Sequence, residues 1–485
     1  MRFQFKGDAE TGLSASPHFF DIDGSAEYIR VDCHVPESCF LQWYLYNPSG
    51  ILQGQAVCMG GGKTSLFAPG RSVPYGASGS PLTEGRWTLW AVCIYVGGKR
   101  QPGSAWMLEI ACGTDAGGLP RQEDAPAFRW LEPEGRVSPA YRQRVYSPGR
   151  AWYRGDFHVH TTCSDGKMPP LRVRREAEDR GLDFFAVTEH NFFHTGWVDD
   201  AMPVIPGMEL TLPQGHFNIF APESLPLLRE GFWPRTTQLQ EFPGMFFKEC
   251  RESGALISVN HPFMAPWEVK DPELDLSLLH AMEIICDPTW STAPASEEKA
   301  LKAFGILWDR GFKVTGIGGS DIHNPPEEPY EGSDVPGTIG LPFTWALADE
   351  LSIDALLKAV AQRRVCVTTG FRPEVFAQCG AGRYPPGSRL PVGEEGNEIS
   401  VSIGLPDIDG MYRLEFVEDG AVKETAFIDR GRTVCLRRFW NKDYHWLRVD
   451  IRNASGRLCG FANPFYAGDR KIQKMTWGEL VELVG

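Results

Sequence analysis

The chain has 485 residues, 42% of them hydrophobic and 23% charged, and its 48 basic and 62 acidic residues leave a net charge of −14. This composition excludes wholesale disorder, suits roughly two to four domains, and allows a large core without disulfide staples. The acidic balance, with no basic stretch, argues against a duplex-nucleic-acid or membrane-surface partner.

In chain order, residues 1–112 read as a small antiparallel β-sandwich. Glu27–Cys33, Phe40–Tyr46 and Trp87–Val96 are short runs rich in aromatic and β-branched residues, bounded by Gly, Pro, Asn and Ser. Met59-Gly60-Gly61-Gly62 is expected in a longer loop between them. Gly62-Lys63-Thr64 superficially matches the end of a phosphate loop, but Val57 stands where that pattern wants its first glycine, and a turn rather than a helix follows.

Residues 113–150, rich in Gly, Pro and charge, read as a linker. From 151 to 370, predicted helices alternate with short apolar strands: 172–180 before Phe184–Thr188, 239–252 before Ala255–Val259, 297–310 before Lys313–Ile317, and 352–363 before Val365–Thr368. That alternation predicts parallel βα units, in a barrel or a layered sheet. Residues 371–485 return to strands, such as Tyr412–Val417 and His445–Ile451, and read as a second β-rich module with a short helix near its end.

No apolar run reaches the ~18 residues of a membrane span, and the first residues lack a secretory apolar region. Twelve cysteines without a CxxC pair read as reduced, mostly buried thiols, so a cytoplasmic protein is expected.

Histidine is unevenly placed: eight of eleven lie between His158 and His323. His158 and His160 alternate, so as strand residues they face one side, and a turn at Asp165 follows them. His190, Glu209, His261, Asp321 and His323 each sit at or just past the end of an apolar strand, and His216 comes seven residues after Glu209. In α/β barrels that end of the strands carries the active site. Imidazole and carboxylate ligands suit zinc, manganese or iron, and nine such groups exceed what one ion needs. With Glu209 as bridge they suit two or three ions, which would make hydroxide from bound water and clamp the attacked oxygen.

The motifs His158-Val159-His160 through Ser164-Asp165-Gly166, Thr188-Glu189-His190-Asn191, Gly207-Met208-Glu209, Asn260-His261-Pro262 and Gly319-Ser320-Asp321-Ile322-His323 resemble, in order and spacing, the polymerase and histidinol phosphatase (PHP) metallohydrolases. The lead-in Trp152–Phe157, the β-rich flanks and Asn463-Pro464-Phe465-Tyr466 resemble the CehA/McbA branch, which includes aryl carbamate hydrolases, whereas most PHP relatives hydrolyse phosphate esters. The resemblance implies an α/β fold, a distorted (β/α)7 PHP barrel with an N-terminal β-sandwich and a C-terminal β-rich module. It also implies three metal subsites: His158, His160, Glu209 and Asp321 for one ion; Glu209, His261 and His216 for a second; Asp165, His190 and His323 for a third. Asn218 lies on the same face as His216. Asp321 and Glu209 are the residues expected to act in catalysis, with Asp321 or a metal-bound water passing the proton. Glu189 stands where the family carries aspartate and is expected to orient a ligand.

The expected activity is therefore that of a metal-dependent phosphoesterase acting on a small, anionic ester, with carbamate or ester hydrolysis as the alternative and an idle metal-binding scaffold as the reading from another class. Cys163 and Cys286 are expected to be small filler, because metal-activated water makes a nucleophilic thiol unnecessary. Asp287 reads as a helix cap, a residue behind the ligands or a substrate contact, Arg372 as a surface ion-pair partner, His280 as a partly exposed helix-end residue, and His18, His34 and His445 as surface or sheet residues. His194 is open between pocket and loop.

Overall fold

The computed structural model describes residues 1–485 except 9–12, 72, 96–104, 118–124, 133–134, 236–241 and 334. The runs expected as two strands, Glu27–Cys33 and Phe40–Tyr46, join into one, Tyr28–Tyr46, paired antiparallel with Leu52–Phe67. The loop expected at Met59–Gly62 is instead the middle of that second strand. A glycine run does not end a strand whose partner supplies backbone hydrogen bonds on both sides of it.

The register of this long pair shifts between Val35 and Phe40. Before the shift, the other edge of Tyr28–Tyr46 takes Ala105–Gly113; after it, Gly85–Tyr95. Arg2–Asp8 and Leu13–Ile22 add outer strands. These outer strands face each other, with the Phe3 and Phe20 rings 5.2 Å apart and His18 5.5 Å from Trp106. The strands form one six-stranded antiparallel sheet around a core that includes Leu41, Trp43, Trp87, Leu89 and Trp106.

The chain divides into two compact units. The first holds Met1–Arg142, His160–Arg175 and Val187–Ala255; the second holds Gln143–Val159, Glu176–Ala186 and Leu256–Gly485. Besides the N-terminal sheet, the first unit contains a buried hairpin, Val204–Leu212 with Gly215–Phe220. It also contains the helix Phe242–Glu252; residues 239–241 of the helix expected there lie outside the described residues.

The second unit carries the parallel strands Leu256–Val259, Ala281–Cys286 and Thr315–Gly319. Ser147–Asp156 lies parallel to Phe184–Val187 on one side and antiparallel to Phe343–Leu351 on the other. From there the sheet continues antiparallel through Val365–Thr368, Leu458–Ala467, His445–Arg452 and Tyr412–Glu418 to Ala421–Ile428. The strict βα alternation expected across 151–370 is thus only partly realised. The Ile353–Ala361 helix, capped by the Ser352 hydroxyl, ends so that Arg364 O accepts from Leu347 N, and the chain re-enters beside the end it left. Alternation in sequence records the type of element, not its direction. His158-Val159-His160 also lies just past the strand, which ends at Asp156; Val159 makes one parallel bridge to Ile322.

Among the described residues, no backbone ladder joins the other edge of Thr315–Gly319 to Phe343–Leu351 or Val365–Thr368, and side chains take its place. Thr344 Oγ1 accepts from Gly318 N and donates to Gly318 O, at 3.0 and 2.7 Å. Asn463 is fully buried; its Oδ1 accepts from Gly316 N at 2.8 Å, and its Nδ2 donates to Gly316 O and Val365 O at 2.8 and 3.0 Å. Asn463→Ala should therefore destabilise the protein by about 2–4 kcal/mol, the scale of leaving buried backbone groups unsatisfied. Urea unfolding measures this; unchanged stability with lost activity would instead place Asn463 in the chemistry.

No helix among the described residues is long and apolar enough to cross a membrane, and none of the twelve cysteines forms a disulfide.

Candidate metal centre

In the second unit, buried Asp156 fixes the turn that follows its strand. Its carboxylate accepts from His158 N and Ser320 N at 3.0 Å each and from Gly340 N at 2.7 Å. Burial nonetheless pushes its pKa up to about 6, against those donors. Asp321 N then donates to His158 O at 2.9 Å, which holds the Gly319–His323 turn against the His158 turn. A Cβ on Gly319 would come within 2.3 Å of the His158 Cβ and 2.7 Å of Glu283 Oε1, so only glycine permits this approach.

Glu283 sits inside the apolar strand Ala281–Cys286 and is buried. Its Oε1 takes the His158 Nδ1 proton at 2.9 Å, and its Oε2 accepts from His261 N at 2.9 Å. That fixes the tautomer of His158 and aims Nε2 at Asp321 Oδ1, 3.2 Å away. His323 Nδ1–H donates to Asp321 O at 2.8 Å, which leaves Nε2 as the ring nitrogen with a lone pair. His261 Nε2 lies 4.0 Å from Asp321 Oδ2, and its ring stacks on His158 at 5.8 Å. His261, Asp287 and Asp321 adopt left-handed φ values of 29°, 35° and 50°; such backbone strain in non-glycine residues concentrates at functional sites.

In the first unit, Glu209 is fully buried among three imidazoles. Its Oε2 lies 2.8 Å from His190 Nδ1 and 3.5 Å from His160 Nε2, and its Oε1 lies 3.3 Å from His216 Nδ1. Asn218 pairs across the hairpin with Glu209, while the His216 ring lies beside the Glu209 carboxylate. A Cβ on Gly207 would meet Val187 O at 2.9 Å, so the glycine lets the Glu209 strand pack this closely. Asp165, partly exposed, reaches His190 Nε2 at 3.5 Å and His160 Nδ1 at 4.0 Å. Burial works against a charged His190 ring, yet the Asp165 and Glu209 carboxylates raise its pKa well above the usual value. Glu189, expected to orient a ligand, hydrogen-bonds Thr161, Ser164 and His194. Burial opposes its charge, but His194 at 3.0 Å, together with Thr161 and Ser164, holds it ionised with a pKa of about 2 and ties down the 161–164 turn.

The donor chemistry fits divalent cations. Within the first unit, ligand atoms of His160, Asp165 and His190, and again of His190, Glu209 and His216, lie within 4.8 Å of one another; within the second, those of His158, Cys286 and Asp321 do. Burial, with Glu283 and Asp321 nearby, keeps the Cys286 thiol neutral, and Cys163 packs with Val57, Met59 and Phe192. Arg372 makes an exposed pair with Glu374, and His194 is fully buried as Glu189's partner.

Sequence reasoning missed Glu283, whose signal is a lone carboxylate in a buried apolar strand. It missed Thr211, whose Oγ1 lies 2.5 Å from His190 Nδ1. It also missed an aromatic wall beside His261: Trp267 at 6.5 Å, Trp290 5.1 Å beyond it, and Tyr330 5.2 Å further.

These donors define a histidine- and carboxylate-rich candidate metal centre. No family model matches the chain, and no curated protein is similar to it. Among solved structures, it is similar to a two-domain protein of Bacteroides vulgatus containing a predicted PHP-like metal-dependent phosphoesterase: 17% identity, TM-score 0.36, over 67% of this chain and 99% of that one. It is also similar to a predicted metal-dependent phosphoesterase of Bifidobacterium adolescentis: 15% identity, TM-score 0.27, over 43% of this chain and 95% of that one.

Proposed function

We propose that the chain is a metal-dependent hydrolase of the PHP type whose substrates are small, anionic phosphate esters. The observation that carries this reading is the burial of Glu209 among three imidazoles, with Asp165 completing an unusually acid- and histidine-rich set in one unit. Asp321, with His158, His261 and His323, forms a second set. His158, His160, Glu209 and Asp321 would hold one ion, Glu209 with His216 and His261 a second, and Asp165, His190 and His323 a third.

Zinc, manganese or iron, when bound, lowers the pKa of water and polarises the ester oxygen. Glu283 sets the His158 tautomer, Glu189 holds the turn that presents Asp165, and Asp321 is placed to hold a proton near the reacting atoms. The reduced cysteines favour a cytoplasmic setting. The aromatic wall beside His261 favours a second reading, an aryl carbamate or ester hydrolase.

The test is elemental analysis of the purified protein, then assay of an aryl phosphate, an aryl phosphodiester and an aryl carbamate with manganese or zinc. Turnover of the phosphate esters that chelator abolishes is expected. Preference for the carbamate selects the second reading. No turnover by fully loaded protein makes the chain an idle metal binder.

A further inference from the structure

The N-terminal sheet is built onto the metal-ligand segments of its own unit. Tyr44 Oη donates to Asn191 O at 3.0 Å, next to His190. The Gln55 side chain bonds Phe193 twice, donating from Nε2 to its carbonyl at 2.9 Å and accepting from its N–H at 3.2 Å. Phe40 brings its ring to 6.3 Å from the His190 ring. On the strand paired with it, Lys63 extends its Nζ to Cys163 O at 2.5 Å. Cys163 lies in the turn between His160 and Asp165.

Lys63 is half-buried, and this carbonyl is the hydrogen-bond acceptor the structure gives it; among the described residues no carboxylate pairs with it. Its register partner is Cys33, a buried thiol. In a chain of net charge −14, a partly desolvated ammonium held by one neutral oxygen is an anion site in waiting. An ammonium has three protons to donate, and lysine binds phosphate as a compact point charge.

We infer that the N-terminal sheet forms a wall of the substrate site and that Lys63 is its specificity-determining side chain, contacting a non-bridging oxygen of an anionic ester while it steadies the 161–166 turn. This inference rests on the hydrolase reading and deepens it by naming the group that recognises charge.

The test compares wild type with Lys63→Gln, which can still donate to Cys163 O without the charge, Lys63→Met, and Lys63→Arg. Metal-loaded proteins are titrated with inorganic phosphate by calorimetry, and KM and kcat are measured for an aryl phosphate and a neutral aryl ester of the same phenol. The Gln and Met variants should weaken phosphate binding and raise KM for the phosphate ester at least tenfold more than for the neutral ester, with Arg restoring most of the loss. Phosphate affinity within twofold of wild type in Lys63→Gln overturns the assignment, as does an equal rise in KM for both esters, because a purely structural role would not sense substrate charge. If no ester is turned over but phosphate binding still separates the variants, the hydrolase reading fails and the anion contact stands. If esters are turned over and phosphate affinity is unmoved, the reverse holds.

Discussion

Glutamine at position 209 should lower hydrolysis by roughly 10²–10³-fold or more, the scale of removing one preorganised charge from an active site, and lower bound metal with it. The volume of the side chain is preserved, so packing is not the variable. Glu209 offers one oxygen to His190 and His160 and the other to His216. An amide replaces one acceptor by a donor and leaves the site one negative charge short. Elemental analysis and the substrate assay are read on the same preparation. Full metal stoichiometry with wild-type turnover would show that Glu209 is not a ligand, and the assignment of the centre would fall with it.

Most of the candidate positions stand out because they lie just past a short apolar strand, where a polar residue breaks the local pattern; Glu209 and His216 instead lie inside the strands Val204–Leu212 and Gly215–Phe220. Glu283 does not stand out: within Ala281–Cys286 it reads as one charge in an apolar run, and only the neighbouring turns reveal that both its oxygens are used. Lys63 and Cys163 are 100 residues apart. No local pattern couples them, and the glycines before Lys63 read as a loop because their strand partners lie some 25 residues upstream. Periodicity reports which side of an element is buried, whereas register and direction depend on long-range pairing. Hence the antiparallel Phe343–Leu351 and the merged Tyr28–Tyr46 escaped. Asn463, quoted only as part of a resemblance, proves to be a clasp across a seam that has no ladder.

A second large effect is expected at Glu297, in the first turns of the helix Ala293–Asp309. Its carboxyl is buried, and neither oxygen has a hydrogen-bond partner among the described residues. Burial pushes its pKa up to about 8, and the nearby Arg457 only partly offsets that. In the unfolded chain the same group titrates near the ordinary glutamate value of 4.5. Between these values the folded protein holds a proton that the unfolded chain has released. Stability from this group is therefore full below about pH 4.5 and declines as pH rises towards 8, by up to about 5 kcal/mol at 1.36 kcal/mol per pKa unit. Glu297→Gln keeps the shape without the proton equilibrium, so it should match wild type near pH 5 and melt well above it at pH 8–9. Thermal unfolding of both proteins across that range decides the matter: parallel curves would mean that Glu297 finds a charge partner or water at its buried position, and the slope with pH would have to come from other acids.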